Sequence, residues 1–303
     1  MAGLHQLLDH HRVEVRAVEV VYNLAAFVAE KPVVLESRRP CHTVAIVAHS
    51  SATEQAEQTA KHVRRVHEIW LVLGVSLLRP AAFSILDLVS RRGTPIKGTT
   101  AVITDAPAQV EELIADLLRV GFGLVPVLLV GHLLTRDGEG WGTLRLDRSQ
   151  PARDLRNGAG IAAAVGAVGL AFYVLAVHIG LTRTIIPVGT GGPWWTTPLL
   201  LLQAAQNAVL EEVIVGAYLL HRLRQIGWQE VRVIATAAVL RGTYHLYQGY
   251  GPFLANAVMG VAFALWLRSG RRTWPLVVAH FLIDAVVFVG WFWFRDHLGW
   301  LPR

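Results

Sequence analysis

The strongest constraint on the fold is a run of 24 positions, residues 158–181, that contains no charged side chain. An α-helix of about 20 apolar residues crosses the roughly 30 Å hydrocarbon core of a bilayer, so this run is long enough to span a membrane. Across the whole chain, 53% of the residues are hydrophobic and only 17% are charged. The composition therefore favours a protein whose solvent is lipid rather than water.

Apolar runs of similar length recur from residue 69 to the C-terminus and predict seven membrane-spanning helices. They lie at residues 69–89, 112–134, 158–181, 196–220, 231–248, 253–268 and 274–294, and the first is interrupted by Arg79 and Pro80. Backbone amides in lipid must form their hydrogen bonds within one segment. We therefore predict an all-α fold, a polytopic bundle of about seven transmembrane helices. Residues 69–303 would form this transmembrane domain, and residues 1–68 an N-terminal cytoplasmic extension of unknown role.

Basic residues in the short loops predict which ends of the helices face the cytoplasm. The loops at residues 135–157, 221–230 and 268–273 are rich in arginine, whereas the loops near 182–195 and 249–252 hold a single arginine, Arg183. The loop at residues 91–100, with Arg91, Arg92 and Lys97, breaks this rule. We therefore expect a multi-pass protein of the cell (plasma) membrane with the three arginine-rich loops in the cytoplasm. The net charge of +6 is expected to meet anionic lipid headgroups of the bilayer. No basic patch interleaved with aromatic residues points to nucleic-acid binding.

Six polar or charged side chains lie inside the predicted spans at similar distances from the arginine-rich ends. Counting 1.5 Å per residue places them about 12–20 Å from those ends, beyond the reach of a snorkelling side chain. Charged groups at this depth are costly and must face protein or a water-filled cavity. They come from four helices and predict one polar layer: Glu211, Glu212, His245, Asn256, His280 and Asp284. In this layer Asn256 is expected to have a supporting role.

Helical spacing predicts how the two adjacent glutamates divide their contacts. Glu211 and Glu212 point about 100° apart on a helix, so only one of them can face a common centre. Arg241 lies four residues before His245 and shares its helix face. We therefore predict that Arg241 is a supporting residue that binds the other carboxylate.

Buried carboxylates beside imidazoles suit hydrolysis. A glutamate in an apolar bundle can take a proton from water and return it to a leaving amine, while histidine and amide donors stabilise the oxyanion. A zinc ion held by Glu211, His245 and His280, with an open fourth position, is the alternative. The single cysteine, Cys41, excludes a cysteine-based zinc site. The residue pattern does not distinguish hydrolysis by a glutamate base from hydrolysis at a zinc ion, so a zinc cofactor remains an alternative.

Three short motifs, in this order, resemble the CPBP family of intramembrane proteases, the CAAX-protease and bacteriocin-processing group also called the Abi family. They are the pair Glu211-Glu212, the segment R-G-T-Y-H-L-Y-Q-G at residues 241–249, and the H-x-x-x-D sequence of His280 and Asp284. The second segment looks like the version found in actinobacterial members. The resemblance implies a CPBP-like core at about residues 158–294.

The resemblance also implies an activity, that of a CAAX prenyl protease-like peptidase acting on a peptide or membrane-protein substrate. In the family, the first glutamate activates the nucleophilic water with help from the second motif's histidine. The last histidine and its partner four residues on form the oxyanion hole. By resemblance these roles fall on Glu211, His245, His280 and Asp284, with Glu212 in support. The family is described as metalloprotease, so zinc is kept as an alternative.

Three positions depart from the family pattern. Gly216 stands where an arginine usually follows the glutamate pair, and Arg241 stands where an aromatic residue usually precedes the histidine. We predict that the Arg241 guanidinium replaces the missing arginine and reaches Glu212 from the next helix. Asp284 stands where asparagine is common, so its carboxyl group is either protonated by burial or turned to accept a hydrogen bond from His280.

Two other functions are compatible with the sequence, a proton-coupled transporter and a non-catalytic membrane protein. A proton-coupled transporter would use them as a relay, but the sequence shows no matching Gly- or Pro-broken helices in two halves. A non-catalytic membrane scaffold or immunity-type protein would explain why some motif positions are altered. The sequence does not identify a substrate.

Overall fold

The computed structural model describes residues 45–90, 99–101, 110–186 and 193–294. The contacts described below lie within one compact unit that begins at Ala60. The first helix, α1, spans Ala45–Gly74, so the predicted domain boundary at residue 68 falls inside it. Residues 1–44 of the predicted extension lie outside the described residues.

Helices dominate the described residues, which confirms the predicted all-α class. After α1 they are α2 (Leu78–Ser90), α3 (Val110–Gly123), α4 (Val125–Arg136), α5 (Pro151–His178), α6 (Thr196–Glu211), a π-helical segment (Glu212–Leu219), α7 (Leu220–Gln225), α8 (Glu230–Thr243), α9 (Tyr250–Arg268) and α10 (Trp274–Phe294). Short 3₁₀ turns span Trp141–Leu144 and Leu246–Gln248. Two three-residue strands, β1 (Thr99–Ala101) and β2 (Thr184–Ile186), pair in parallel.

Each of the seven predicted spans coincides with a described helix or helix pair. Four segments are long and apolar enough to cross a membrane: Val110–Arg136, Pro151–His178, Thr196–Gln225 and Tyr250–Arg268. The first predicted span is a pair of helices bent by 61°, which makes a fifth crossing if the pair counts as one. Of the other two, α8 has only 14 residues, and Trp274–Gly290 of α10 forms a shorter apolar helix. The described residues thus hold four to five helices of full membrane length.

The bend between α1 and α2 lies where Arg79 and Pro80 interrupt the first predicted span. Pro80 falls in the first turn of α2, where a residue without an N–H loses no hydrogen bond. Its ring would clash with the carbonyl group four residues earlier if α1 simply continued. The Ser84 hydroxyl of α2 donates to the carbonyl oxygen of Tyr244 at 3.3 Å. Helix α2, which follows the bend, therefore packs against the turn that follows α8.

Helix α8 ends at Thr243, whereas the predicted span continues to residue 248. Its 14 residues extend about 21 Å, less than the roughly 30 Å of a hydrocarbon core. The chain then turns at Leu246–Gln248 and reaches Gly249 with φ at 124°, a left-handed conformation that favours glycine. As a result His245 lies on a turn beyond the helix end rather than within a helix.

The helix that carries Glu211 and Glu212 runs through the centre of the bundle. All eight residues of the π-helical segment are buried. Core side chains from five helical segments have an exposed fraction of 0%: Val72, Val130, Ile214, Val233 and Leu276. Large apolar side chains on α3, α5 and α9 are exposed, as lipid-facing surfaces require: Ile114, Leu118, Phe122, Val168, Leu175, Val258 and Leu265.

One end of the bundle is held together around Arg222, which has an exposed fraction of 0%. Its guanidinium nitrogens lie 3.1 Å from Asp137 Oδ2, 3.3 Å from Glu139 Oε2 and 3.6 Å from Glu68 Oε2. Glu68 is also paired with Arg136. The buried cation therefore joins α7 to α1 and to the loop that follows α4.

Arg272, in the loop before α10, makes a second connection to the segment between α4 and α5. Its guanidinium lies 2.7 Å from Asp147 Oδ1 and 2.8 Å from Asp154 Oδ1. Hydrogen bonds from Arg272 and Ser149 hold the pKa of Asp147 well below its usual range. Together with the contacts of Arg222, these ion pairs confirm the prediction that the three arginine-rich loops lie on one side of the bundle.

Candidate active site

The two adjacent glutamates occupy the junction between α6 and the π-helical segment. Glu211 is the last residue of α6 and has an exposed fraction of 9%, and Glu212 begins the π-helical segment with an exposed fraction of 0%. Glu211 Oε2 accepts a hydrogen bond from the Tyr244 hydroxyl at 2.7 Å. Glu212 Oε1 instead contacts Arg241 at 2.7 Å and His280 at 2.8 Å. The nearest partners of the two carboxylates therefore differ.

Arg241 is the cation shared by both glutamates. Its exposed fraction is 1%, and its guanidinium lies over the ring of Phe263 at 5.2 Å. Nη1 lies 2.7 Å from Glu212 Oε1, and Nη2 lies 3.7 Å from Glu211 Oε2. The predicted ion pair between Arg241 and Glu212 is therefore present. A buried cation in this position offsets part of the cost of burying two carboxylates side by side.

Gly216 faces the same carboxylate as Arg241. A Cβ atom at position 216 would lie 2.9 Å from Glu212 Oε2. Among the described residues, Oε2 of Glu212 is buried and has no hydrogen-bond donor. A side chain at position 216 would therefore lie against Oε2 of Glu212, whereas Arg241 binds Oε1 of the same carboxylate. This geometry supports the hypothesis that an arginine at 241 takes over the contact usually made from 216.

His280 connects Glu212 to Asp284. A carboxylate can only accept, so His280 Nδ1 donates to Glu212 Oε1 at 2.8 Å. The other ring nitrogen, Nε2, lies 3.6 Å from Asp284 Oδ2, one helical turn further along α10. Arg241 Nη2 lies 3.2 Å from Nδ1. His280 thus has a carboxyl group at each ring nitrogen.

His245 faces Glu211 from the turn after α8. Its Nε2 lies 3.9 Å from Glu211 Oε2. That nitrogen is buried and has no hydrogen-bond partner within the described part of the chain. The predicted proximity of His245 and Glu211 is therefore present, although the two groups do not form a direct hydrogen bond.

No described contact connects Asn256 to this cluster. Its amide nitrogen donates to the carbonyl oxygen of Pro252, in its own helix α9, at 3.0 Å. Depth along a helix does not determine which face of the helix a residue occupies. Its described hydrogen bond gives it no contact with the glutamates or histidines.

Tyr244 belongs to the site although it was not among the predicted site residues. Its ring is buried beside His245, with ring centroids 4.9 Å apart, and its hydroxyl reaches Glu211. The signal was present in the spacing, because Tyr244 lies three residues after Arg241 and so projects from a similar face. Tyrosine in a membrane helix is more readily interpreted as an interfacial residue, which conceals such a role.

The donors at this site do not fit the zinc ion considered from the sequence. Zinc needs lone pairs that converge at about 2.0–2.3 Å from one point. The Arg241 cation lies 3.7 Å from Glu211 Oε2, beside the atom that a metal would use, and its positive charge would repel a metal ion there. Among the described residues, no group of three His, Cys, Asp or Glu side chains could hold a metal ion. The steps proposed below therefore use no metal.

We expect a chelator to leave the rate of peptide cleavage unchanged. The measurement is the initial rate before and after EDTA or 1,10-phenanthroline, with the metal content of the protein determined by mass spectrometry. A zinc protease treated in parallel serves as the control. A loss of activity that added zinc restores would show that the side chains rearrange around a metal.

The comparisons with known proteins agree with this site. Residues 193–286 match the family model of the Rce1-like type II CAAX prenyl endopeptidases, and this segment contains every side chain of the cluster. No curated protein and no solved structure matches the chain. The apolar helices and the family match define the class of the protein, which is an intramembrane protease. More particularly, residues 193–286, which hold the three motifs, are similar to the type II CAAX prenyl endopeptidases.

Proposed function

We propose that the protein is a CAAX-type endopeptidase in which Glu211 activates water for attack on a peptide bond. The observation that carries the proposal is the pairing of Glu211 with His245, whose Oε2 and Nε2 atoms lie 3.9 Å apart. This distance is too long for a direct hydrogen bond and leaves room for a water molecule that bonds to His245 Nε2 and to the Glu211 carboxylate through its other oxygen, Oε1. Glu211 is buried and His245 is partly buried, and the low dielectric of the apolar bundle strengthens electrostatic contacts between them.

In this mechanism Glu211 takes a proton from the water while the water oxygen attacks the carbonyl carbon of the peptide bond. His245 Nε2 accepts the second hydrogen of the water and so fixes its orientation. The tetrahedral intermediate collapses when the C–N bond breaks, and Glu211 returns its proton to the leaving amine. The products are a new carboxyl terminus and a new amino terminus, and Glu211 is again ionised.

His280 is the proposed donor to the oxyanion. The carboxyl groups of Glu212 and Asp284, at 2.8 Å and 3.6 Å, favour a ring that carries protons on both nitrogens. The Nε2–H group can then donate to the negative oxygen of the intermediate, an interaction often worth about 10²–10³ in rate. Arg241 and Glu212 hold the ring in position from the other side.

Asp284→Asn is expected to keep substantial activity, whereas Asp284→Ala is expected to lose it. Asparagine keeps the shape of the side chain beside His280 Nε2 and its amide can donate to the oxyanion, whereas alanine removes every polar atom from this position. The measurement is kcat for a membrane-embedded peptide, with thermal unfolding to verify that both variants fold. Equal loss in the two variants would mean that the negative charge itself is required.

The proposal extends to the location and the substrate. The substrate would be a peptide or membrane-protein segment, of the CAAX type named for the family. The protein would lie in the plasma membrane as a multi-pass protein, with the arginine-rich end around Arg222 in the cytoplasm.

The proposed reaction is tested with the full chain in liposomes made in water enriched in ¹⁸O. Peptides that end in a Cys-aliphatic-aliphatic-X sequence are supplied with and without a prenyl group on the cysteine. Hydrolysis predicts one ¹⁸O atom in the new carboxyl terminus, detected by mass spectrometry. Cleavage of the prenylated peptide alone would support CAAX-type recognition, and failure to cleave either peptide would contradict it.

A further inference from the structure

The hydroxyl group of Tyr244 is the one direct hydrogen-bond donor to Glu211 among the described contacts. It lies 2.7 Å from Oε2, whereas Arg241 and His245 approach the same oxygen only to 3.7 Å and 3.9 Å. All three described contacts of this carboxylate therefore end on Oε2. The other oxygen, Oε1, takes part in none of them.

This asymmetry matters because a carboxylate can rotate about its last side-chain bond. A terminal sp³–sp² torsion has a broad minimum, so Glu211 would sample several orientations without an anchor. A short hydrogen bond to one oxygen fixes the plane of the group. The orientation of the free oxygen is then determined by the position of Tyr244.

Tyr244 is itself held on several sides. Its carbonyl oxygen accepts a hydrogen bond from the Ser84 hydroxyl of α2 at 3.3 Å. Its ring has an exposed fraction of 4% and lies against the imidazole of His245, tilted by 45°. Helix α2 therefore holds the turn that carries both Tyr244 and His245. The hydroxyl has little freedom to move away from Glu211.

We propose that Tyr244 is a positioning residue that anchors Oε2 of Glu211 and so presents Oε1 for proton transfer. The proposal rests on the proposed role of Glu211 as the general base. The hydroxyl also stabilises the ionised form of Glu211 relative to the protonated form, because it donates to the carboxylate. Tyr244 thereby adjusts both the orientation and the basicity of Glu211, and it makes no contact with the reacting atoms.

The test is Tyr244→Phe, which keeps the buried ring and removes only the donor. We expect kcat to fall roughly 10- to 100-fold, the loss expected for one hydrogen bond to a charged group, while KM changes little. The acidic limb of the pH–kcat profile should move to higher pH, because the carboxylate loses a group that stabilises its charge. Tyr250→Phe, at an exposed position on α9, is the matched control and should behave as the wild type.

A second variant separates positioning from packing. Incorporation of 3-fluorotyrosine at position 244 keeps the side-chain shape, and its more acidic hydroxyl is a stronger donor. The acidic limb should then move to lower pH, opposite to the shift in Tyr244→Phe. A purely structural role would not give opposite shifts, and profiles that do not move in either variant would overturn the proposal.

Failure of this inference and failure of the proposed function give different results. If Glu211→Gln is inactive while both Tyr244 variants keep the wild-type kcat and pH profile, Glu211 is still supported as the general base. The positioning role of Tyr244 is then excluded. If Glu211→Gln retains full activity, the proposed function itself falls.

Discussion

Glu211→Gln is expected to lower kcat for peptide cleavage by roughly 10³-fold, within the range that general acid–base groups contribute. The glutamine side chain has the same shape and can still accept the hydrogen bond of the Tyr244 hydroxyl, so the variant should fold. It cannot take a proton from water at neutral pH. The loss should therefore appear in the chemical step, and substrate binding should change little.

The measurement is single-turnover cleavage in liposomes at saturating enzyme, which separates chemistry from binding and product release. Glu111→Gln, in the exposed first turn of α3, is the matched control for the same chemical change. A Glu211→Gln variant that cleaves at more than a tenth of the wild-type rate would exclude Glu211 as the base. Another group, such as His245, would then have to accept the proton.

Arg241→Met is expected to destabilise the protein by about 3–5 kcal/mol and to abolish cleavage. Removal of one partner from a buried ion pair leaves the remaining charge without compensation, and here two carboxylates lose the same cation. Methionine keeps much of the length and volume of the arginine stem, so the effect reports the charge more than the packing. The measurements are thermal or denaturant unfolding in detergent and the cleavage rate in liposomes. Arg232→Met, at an exposed position on the same helix, is the control.

The double variant Arg241→Met with Gly216→Arg is expected to recover part of the stability and part of the activity. Position 216 lies against Glu212 Oε2, and the 2.9 Å between that oxygen and a Cβ atom at 216 is closer than van der Waals contact, so the Glu212 side chain must shift to admit the arginine. An arginine there would supply the cation from the same helix. The rescue should be partial because the segment is fully buried and must accommodate a larger side chain. A double variant no better than Arg241→Met would count against the replacement of one arginine by the other.

Much of this site could be predicted because helix geometry converts sequence position into depth. The rise of 1.5 Å per residue is nearly constant, so Glu211, His280 and Asp284 fall at one level whatever the packing of the helices. The pairing of Arg241 with Glu212 followed from the cost of an unpaired charge in an apolar bundle. These arguments needed no knowledge of how the helices pack.

The features that were not predicted depend on packing or on local breaks in the helices. Asn256 was predicted to belong to the polar layer, but its described hydrogen bond is to its own helix, because depth along a helix does not determine which face a residue occupies. The end of α8 at Thr243 was missed because the apolar pattern continues through Leu246 and Tyr247. The role of Tyr244 depends on a contact with another helix, which hydrophobic patterning does not report.

The π-helical segment lies between the charged cluster around Glu211 and the charged cluster around Arg222. It determines the angle between the directions in which these two residues project from the helix axis. Glu211 and Arg222 are eleven positions apart, so in an uninterrupted α-helix they would project in nearly the same direction. A π turn takes up about one residue more than an α turn and delays the following residues by about 100° around the axis. If one residue of Glu212–Leu219 were deleted and the segment became α-helical, Glu211 and Arg222 would therefore still project toward their present partners. Conversion to α geometry without such a deletion would turn one of the clusters away.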